Sequence, residues 1–150
     1  MHGMRHAWIR PEQATSGGII LARLYPGDEV HAALRDLARR ERLPSAALSG
    51  IGAVNDIVLA LFDPSTRRYL ETRLAEDLEV VSLGGNLSWV GEEPMTHLHG
   101  VVSRANCTTA AGHIMRATVS VTLEVTLMVG ERRVERRPDP AFGLNLLDLD

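Results

Sequence analysis

The sequence predicts an α+β fold in which one amphipathic helix packs on a mainly antiparallel β-sheet. Two patterns carry this prediction. Apolar residues recur at helical spacing between residues 30 and 42, and apolar and polar residues alternate strictly between residues 118 and 129, as in a half-buried antiparallel strand. The length of 150 residues fits one domain with its own core, so we assign residues 1–17 to an irregular N-terminal segment and residues 18–150 to the domain.

Local signals predict the helix and the strands that precede it. Arg5–Arg10 has the composition of a short strand that Pro11 would end, and Ile19–Tyr25 predicts a second strand. Asp28 precedes the helical pattern at the place of an N-cap residue, and Pro44 ends the helix. The face of the helix opposite its apolar residues is rich in arginine, as expected on a protein surface.

From residue 46 onward the sequence predicts strands separated by turns. We interpret Gly50-Ile51-Gly52 as a turn between the strands Ala46–Ser49 and Asp56–Phe62. Gly84-Gly85, within a later strand, indicates a β-bulge or a close approach of two backbones. Arg132–Arg136 is expected to pair back on the long alternating strand. The other predicted strands are Arg68–Thr72, Leu78–Leu87, Thr96–Ser103, Thr118–Val129 and Leu144–Leu149.

Composition excludes several classes of protein. The net charge of −3 argues against a surface tuned throughout to nucleic acid. Cys107 is the single cysteine, which excludes intramolecular disulfides and Cys-rich zinc motifs and makes the cytoplasm the expected compartment. All 16 basic residues are arginine, so a Schiff-base lysine and a P-loop lysine are excluded. No apolar run is long enough to span a membrane, and no signal peptide is visible near the start.

Three of the six histidines are spaced as candidate metal ligands. His97 and His99 are two residues apart on a predicted strand, so their imidazoles project from the same face. His113 follows a loop that can return the chain beside that strand. Three converging imidazoles suit Zn²⁺ with a fourth position open, which is typical of catalytic zinc. The alternative is three histidines that form hydrogen bonds in a cleft or interface.

Glu124 is the candidate catalytic residue. It lies on the polar side of the long strand, where a carboxylate could stand near the metal or orient one of its ligands; the alternative is a surface carboxylate in solvent. His31 is expected to be solvated on the helix, and Cys107 to be a small apolar residue. A basic cluster is formed by Arg132, Arg133, Arg136 and Arg137. Acidic residues interleave this cluster, which favours a solvated hairpin over a phosphate site.

Five segments, in order, resemble a known family: "ALSGIGAV", "LEVVSLGGNLS", "HLHGVVS", "AGHIMRATVSVTLEV" and "FGLNLLDL". They are similar to the plants-and-prokaryotes-conserved (PPC) domain of the stand-alone prokaryotic type, and the similarity runs from Gly18 to Leu149. The resemblance implies a mainly antiparallel sheet, a homotrimer and a metal bound by the histidines of HLH and GH. In this sequence those are His97, His99 and His113.

The resemblance also bears on DNA. Family members are commonly labelled DNA-binding, because plant relatives carry AT-hooks before the domain. An AT-hook needs an Arg-Gly-Arg-Pro core, and this chain has only "WIRPEQ" near its start. We therefore expect no sequence-specific duplex binding by the isolated chain, and any residual affinity for DNA to be weak and strongly salt-dependent.

Two functions are consistent with these observations. The first is a trimeric zinc-binding module with a regulatory or ligand-binding role and a small molecule at the metal. The second is a zinc-dependent enzyme for a small keto or hydroxy acid, because the fold is also similar to that of acetolactate decarboxylase. In that case the zinc would act as a Lewis acid, and Glu124 or an acid of a neighbouring subunit would shuttle the proton. A deep pocket with a buried Glu and Arg would favour the enzyme.

Overall fold

Nine strands and one helix make up residues 3–10 and 17–150, which are the residues that the computed structural model describes. The elements are β1 (Arg5–Ile9), β2 (Gly18–Leu24), α1 (Val30–Glu41), β3 (Ala46–Asp63), β4 (Arg68–Leu74), β5 (Leu78–Val90), β6 (Glu93–Ser103), β7 (Thr109–Val129), β8 (Glu135–Asp139) and β9 (Leu144–Asp148). All strand pairs are antiparallel except a single parallel bridge between β5 and β8. The predicted α+β class is confirmed.

The long strands β3 and β7 organise the sheet. β7 pairs with β2, β3 and β6, and β5 pairs with both β3 and β6, so β3, β5, β6 and β7 form a closed circuit of strands. The inner face of these strands carries alternate apolar residues, such as Leu87, Leu98 and Ile114, which form the core with α1. The residues between them point to the opposite side, which we call the outer face.

Helix α1 covers the core with an apolar stripe in which Val30, Leu34 and Leu37 are fully buried. The predicted cap at Asp28 is wrong by one residue. Glu29 is the N-cap, because its carboxylate accepts the backbone N–H groups of His31 and Ala32. No helix in residues 3–10 or 17–150 has the length and apolar character that crossing a membrane requires.

Two predicted connections differ from the structure. Gly50-Ile51-Gly52 is a β-bulge inside the continuous strand β3 rather than a turn. Gly52 has a φ of +156°, and a Cβ there would lie 2.2 Å from the carbonyl oxygen of Thr122, so glycine allows β3 and β7 to approach. Residues 132–136 do not pair back on β7. Instead β8 pairs with β9.

Candidate metal site

The β6–β7 hairpin brings three histidines together on the outer face. His97 and His99 alternate with the buried Thr96 and Leu98 along β6, so both imidazoles leave the core. His113 on β7 is the direct register partner of His99. Directly opposite residues of an antiparallel pair share a face, so the third imidazole joins the first two. This is the convergence that the HxH spacing and the later histidine predict.

The three imidazoles are close enough together to bind one metal ion. One ring nitrogen from each histidine lies within 4.8 Å of the other two. The Nε2 atoms of His97 and His99 are 3.2 Å apart. Tetrahedral Zn–N bonds separate neighbouring nitrogens by roughly 3.3 Å, so this pair already has the required spacing. His97 and His113 are half-buried and His99 is exposed, which leaves one side of the group open to solvent.

The surroundings of the group favour neutral imidazoles, which are the form that binds metal. Burial lowers the pKa of His113 to about 4, and the nearby charges of His97 and His99 contribute in the same direction. Burial also lowers the pKa of His97, and the positive charge of Arg136 is the next cause. At neutral pH both rings therefore present a lone pair rather than a second proton.

Tyr69, which the sequence gave no reason to single out, lies against the group. Its ring stacks on His113 with a centroid separation of 5.0 Å, and the rings of Tyr69 and Phe62 meet edge-to-face at 5.2 Å. Tyr69 comes from β4, whose partner β3 is also the neighbour of β7 at His113. A phenol is thereby placed at the edge of the three-histidine group.

The prediction that Arg136 belongs to a solvated hairpin is wrong. Arg136 is only 7% exposed, and its guanidinium donates to Ser88 Oγ, Asn86 Oδ1 and the carbonyl oxygen of Asn145. Asn86 is the register partner of His97 across β5 and β6. The hairpin of β8 and β9 thus folds a buried cation onto the strand next to the histidines.

The prediction that His31 is solvated is also wrong. His31 is 8% exposed and lies on the inner face, between α1 and the two strands that carry the candidate ligands. Its Nε2 donates to the carbonyl oxygen of Ile114, and its Nδ1 accepts from the hydroxyl of Thr96, at 2.9 and 2.6 Å. Burial lowers its pKa, so the neutral tautomer with a proton on Nε2 satisfies both partners.

Gly85 explains how β5 can lie so close to the histidine strand. A Cβ at Gly85 would lie 1.9 Å from the carbonyl oxygen of His97 and 3.0 Å from the Cα of Leu98. The bulge of β5 falls between Val80 and Ser82 instead. Of the two expectations for Gly84-Gly85, the close backbone approach is therefore the one observed.

Glu124 lies elsewhere in the same chain. It is exposed on β7 beside Arg23 of β2 and Ile51 of β3. Its position is eleven residues from His113, or about 36 Å of extended strand. A cavity of about 510 Å³ does adjoin the histidines, on the side of His99 and Gly112, and small residues line it. No acidic residue contributes to that lining.

Comparisons with known proteins point to one family. The sequence matches the Plants and Prokaryotes Conserved (PCC) domain, abbreviated PPC above, over residues 11–131. No curated protein matches the chain. A crystal structure from Bacteroides thetaiotaomicron, of a protein proposed to bind DNA, superposes with a TM-score of 0.85 at 26% identity, covering 95% of this chain and 96% of that chain.

Two further structures have the same fold. A metal-containing protein from Archaeoglobus fulgidus superposes with a TM-score of 0.79 at 25% identity, covering 97% of this chain and 98% of that one. A plant- and prokaryote-conserved protein from Pyrococcus horikoshii superposes with a TM-score of 0.82, covering 93% and 97%. Its identity of 24% supports the fold alone.

Proposed function

This chain belongs to the Plants and Prokaryotes Conserved domain family, and from that membership we propose that it is a cytoplasmic homotrimer that binds one zinc ion per chain through His97, His99 and His113. Its role is to bind a small molecule at the metal, in a regulatory or ligand-binding capacity. The observation that carries the proposal is the convergence of the three imidazoles. The metal-containing relative from Archaeoglobus fulgidus supports it.

The donor set favours zinc among the common metals. Three imidazole nitrogens without a carboxylate are poor ligands for Mg²⁺ or Ca²⁺, which prefer oxygen, and they suit Zn²⁺ in a tetrahedron with one open position. When bound, the ion would supply a Lewis acid at that open position. The histidines hold it, and the exposure of His99 leaves the group accessible to a ligand from solvent.

A trimer would cover an apolar part of the outer face. Ile19, Leu21, Ile51 and Met128 lie on three adjacent strands and are each between 39% and 59% exposed. Exposed apolar groups of this kind mark contact surfaces between proteins. Glu124 lies in the same area, so in a trimer an acid from one subunit can face its neighbour. This is the arrangement in which Glu124 could serve the site of another chain.

Metal content and mass test the proposal together. Untagged protein reloaded with zinc and freed of excess metal should contain about one zinc per chain by elemental analysis. Light scattering on a sizing column at micromolar concentration should give three times the chain mass of 16.4 kDa. The mass of a monomer would contradict the proposed trimer, and a chain without bound zinc would contradict the proposed metal site.

A zinc-dependent enzyme acting on a small keto or hydroxy acid is the second candidate, and Tyr69 is the observation that favours it. Its ring stacks on His113, so the site includes a phenol, which is one of the groups that serve as general acids or bases in enzymes. The site also has a buried arginine, but among the described residues no buried acid accompanies it. A binding module therefore remains the first choice. A thermal-shift screen of small metabolites, with and without zinc, discriminates the two when each hit is assayed for turnover.

Duplex DNA is not an expected ligand of the isolated chain. Acidic residues outnumber basic ones by 19 to 16, so a polyanion gains little from counterion release. Arg136, one of the four arginines of the densest basic cluster, is buried in the fold. Fluorescence anisotropy at about 150 mM salt, where screening is realistic, should show only weak, salt-dependent binding to AT-rich and GC-rich duplexes. Submicromolar binding that prefers the AT-rich duplex would restore a DNA-binding role.

A further inference from the structure

A second cavity lies where β6 and β7 separate and helix α1 fills the gap between them. The two strands pair only over residues 99–103 and 109–113, and the cavity borders residues 94–96 of β6 and 113–116 of β7. Along β6 it is thus on the opposite side of His97 from the cavity beside His99, which borders residues 99–101. Its volume of about 400 Å³ is in the range of small-molecule sites. We call it the helix cavity.

Several polar groups in the wall of the helix cavity already have protein partners. The rings and hydroxyls of His31 and Thr96 are hydrogen-bonded to each other. Glu29 is the only acid among the described lining residues, and its two carboxylate oxygens accept the backbone N–H groups of His31, Ala32 and Ala117. These bonds serve the fold, so the groups that remain for a ligand must come from other side chains.

Arg35 is a half-buried cation of the helix cavity, and no hydrogen bond or ion pair joins its guanidinium to another described residue. Burial lowers the pKa of His31 and the positive charge of Arg35 acts in the same direction, so the guanidinium lies near that buried ring. Arg39, one turn further along α1, is exposed and pairs with Asp36 and Glu93. A cation that is partly removed from water gains most from an anion. The contrast indicates that an anion from outside the chain completes the surroundings of Arg35.

Arg116 brings a second guanidinium to the same cavity from β7. Its Nη2 donates to Asp56 at 2.9 Å, which leaves donors on Nε and Nη1. Asp56 also accepts from Arg73, so one carboxylate serves two cations there. A round cavity of this volume is about 9 Å across, and an anion that accepts from a guanidinium on each side spans about 8 Å between the two donor nitrogens. One small anion can therefore contact both arginines.

Two thioethers supply the apolar part of the lining. Met95 is half-buried and Met115 is 37% exposed. Methionine side chains adapt to the shape of an apolar group and contact rings favourably. The helix cavity therefore offers two guanidinium groups for an anion and two flexible apolar side chains for the group attached to it.

We propose that the helix cavity binds a small phosphate monoester, with the phosphate between Arg35 and Arg116 and the organic group against Met95 and Met115. A phosphate monoester carries nearly two negative charges at neutral pH and three acceptor oxygens, so it accepts from both guanidinium groups at once. A carboxylate has one charge and two oxygens and matches a single arginine. This site goes beyond the proposed function, because its contacts require no metal.

Isothermal titration calorimetry of the metal-free protein tests the class of ligand. Phenyl phosphate, benzoate and phenol share one ring and differ in charge. At about pH 7.5, well above the second pKa of about 6 for a phosphate monoester, phenyl phosphate should bind at least about tenfold more tightly than benzoate. Phenol should not bind measurably. Benzoate binding as tightly as phenyl phosphate would overturn the assignment to phosphate, and no measurable binding of phenyl phosphate would overturn the site.

A pair of matched variants tests the role of Arg35. Arg35→Gln should weaken the binding of phenyl phosphate by at least about tenfold, the loss expected for a charge-assisted hydrogen bond. Arg40→Gln is the control, because Arg40 lies on the same helix, is exposed and does not line the cavity. Equal affinities in the two variants would overturn the site at Arg35. If Arg35→Gln does not fold, Arg116→Gln decides: an unchanged affinity there would overturn the proposal.

The apolar end of the site has its own test. Met115→Ser removes a thioether without changing the charge, so it should weaken phenyl phosphate and leave the affinity for inorganic phosphate unchanged. An equal loss for both probes would overturn the placement of the organic group against Met115.

Zinc loading separates this site from the proposed metal site. The charge of a bound ion would add to the affinity for phenyl phosphate without being required for it. Binding that occurs only with zinc would place the phosphate on the metal and overturn the arginine site. A chain that binds no zinc but binds phenyl phosphate in a manner that depends on Arg35 would support this site and contradict only the proposed metal site.

Discussion

Histidines lie against both faces of the β6–β7 hairpin, but their ring nitrogens have different partners on the two faces. On the inner face, His31 reaches the hairpin from α1, and both of its ring nitrogens have partners in Thr96 and Ile114. On the outer face, His97, His99 and His113 have one another as close ring neighbours, at centroid separations of 5.0 to 5.2 Å. Burial alone does not separate the two cases, because it lowers the pKa of His31, His97 and His113 alike.

What separates them is the use of the lone pairs. A histidine whose nitrogens are both satisfied by protein atoms stabilises the fold and has no capacity left for a ligand. Among the described residues, the three outer imidazoles have no hydrogen-bond partner outside their own group, so a cation can bind all three at once. The inner histidine is therefore expected to act on stability, and the outer three on metal binding.

The largest effect expected from this comparison concerns metal. Replacing His97, His99 and His113 together by alanine should reduce bound zinc from about one per chain to none, because no other group of three or more metal-ligating side chains is found among the described residues. Elemental analysis after zinc loading measures this. His31→Ala is the matched control, since it removes a histidine that contacts the same hairpin from α1, on its inner face, and leaves the outer face unchanged. Metal retained by the triple variant would place the site elsewhere.

Much of the site could be predicted from the sequence because it depends on local periodicity. Residues two apart on a strand point to the same face. Once HLH was predicted to lie on a strand, it followed that His97 and His99 project from one face. His113 required the additional step that β7 returns antiparallel to β6, which a short loop makes natural. The register that sets His113 opposite His99 is a result of folding.

The residues that sequence reasoning missed are brought to the site by long-range pairing. Tyr69 belongs to β4, and its place beside His113 depends on β3 lying between β4 and β7. Arg136 alternates with acids in the sequence as a solvated hairpin would, yet β8 turns toward β5 and buries it. His31 looked exposed because the helical pattern shows which face is apolar but not how wide the covered area is. No local sequence pattern shows which of these three side chains are buried or which strands they contact.

The next effect concerns the inner face and is one of stability. His31→Ala leaves the buried hydroxyl of Thr96 and the carbonyl oxygen of Ile114 without their partner, which costs about 1–3 kcal/mol in the free energy of unfolding. Urea denaturation of the metal-free protein at pH 8, where histidines are neutral in both states, measures the loss. His99→Ala in the same experiment should change the free energy of unfolding by less than about 0.5 kcal/mol, because His99 is exposed. Equal losses for the two variants would abolish the distinction between the faces.

The last effect is a dependence on pH that both faces share. His113 has a pKa of about 4 in the folded protein, against 6.5 for an ordinary histidine, so between these values the unfolded chain binds a proton that the folded chain does not. Stability rises with pH wherever the unfolded state binds more protons, so the metal-free protein should lose stability as pH falls from about 6.5 toward 4. The lowered pKa values of His31 and His97 act in the same direction.

The pH dependence also distinguishes the two faces. His113→Ala removes a group that resists protonation in the folded state. The variant should therefore lose less free energy of unfolding than the native chain as pH falls from 8 to 5, as measured by urea denaturation without metal. His31→Ala should show a relative gain in the same direction, but from a lower starting stability, because its hydrogen bonds are lost at every pH. Zinc should steepen the loss on acidification in the native chain, since protons compete for the imidazole lone pairs and the folded state alone holds the three of them together. If the native chain and His113→Ala lost stability in parallel from pH 8 to 5, His113 would not be held neutral by its surroundings.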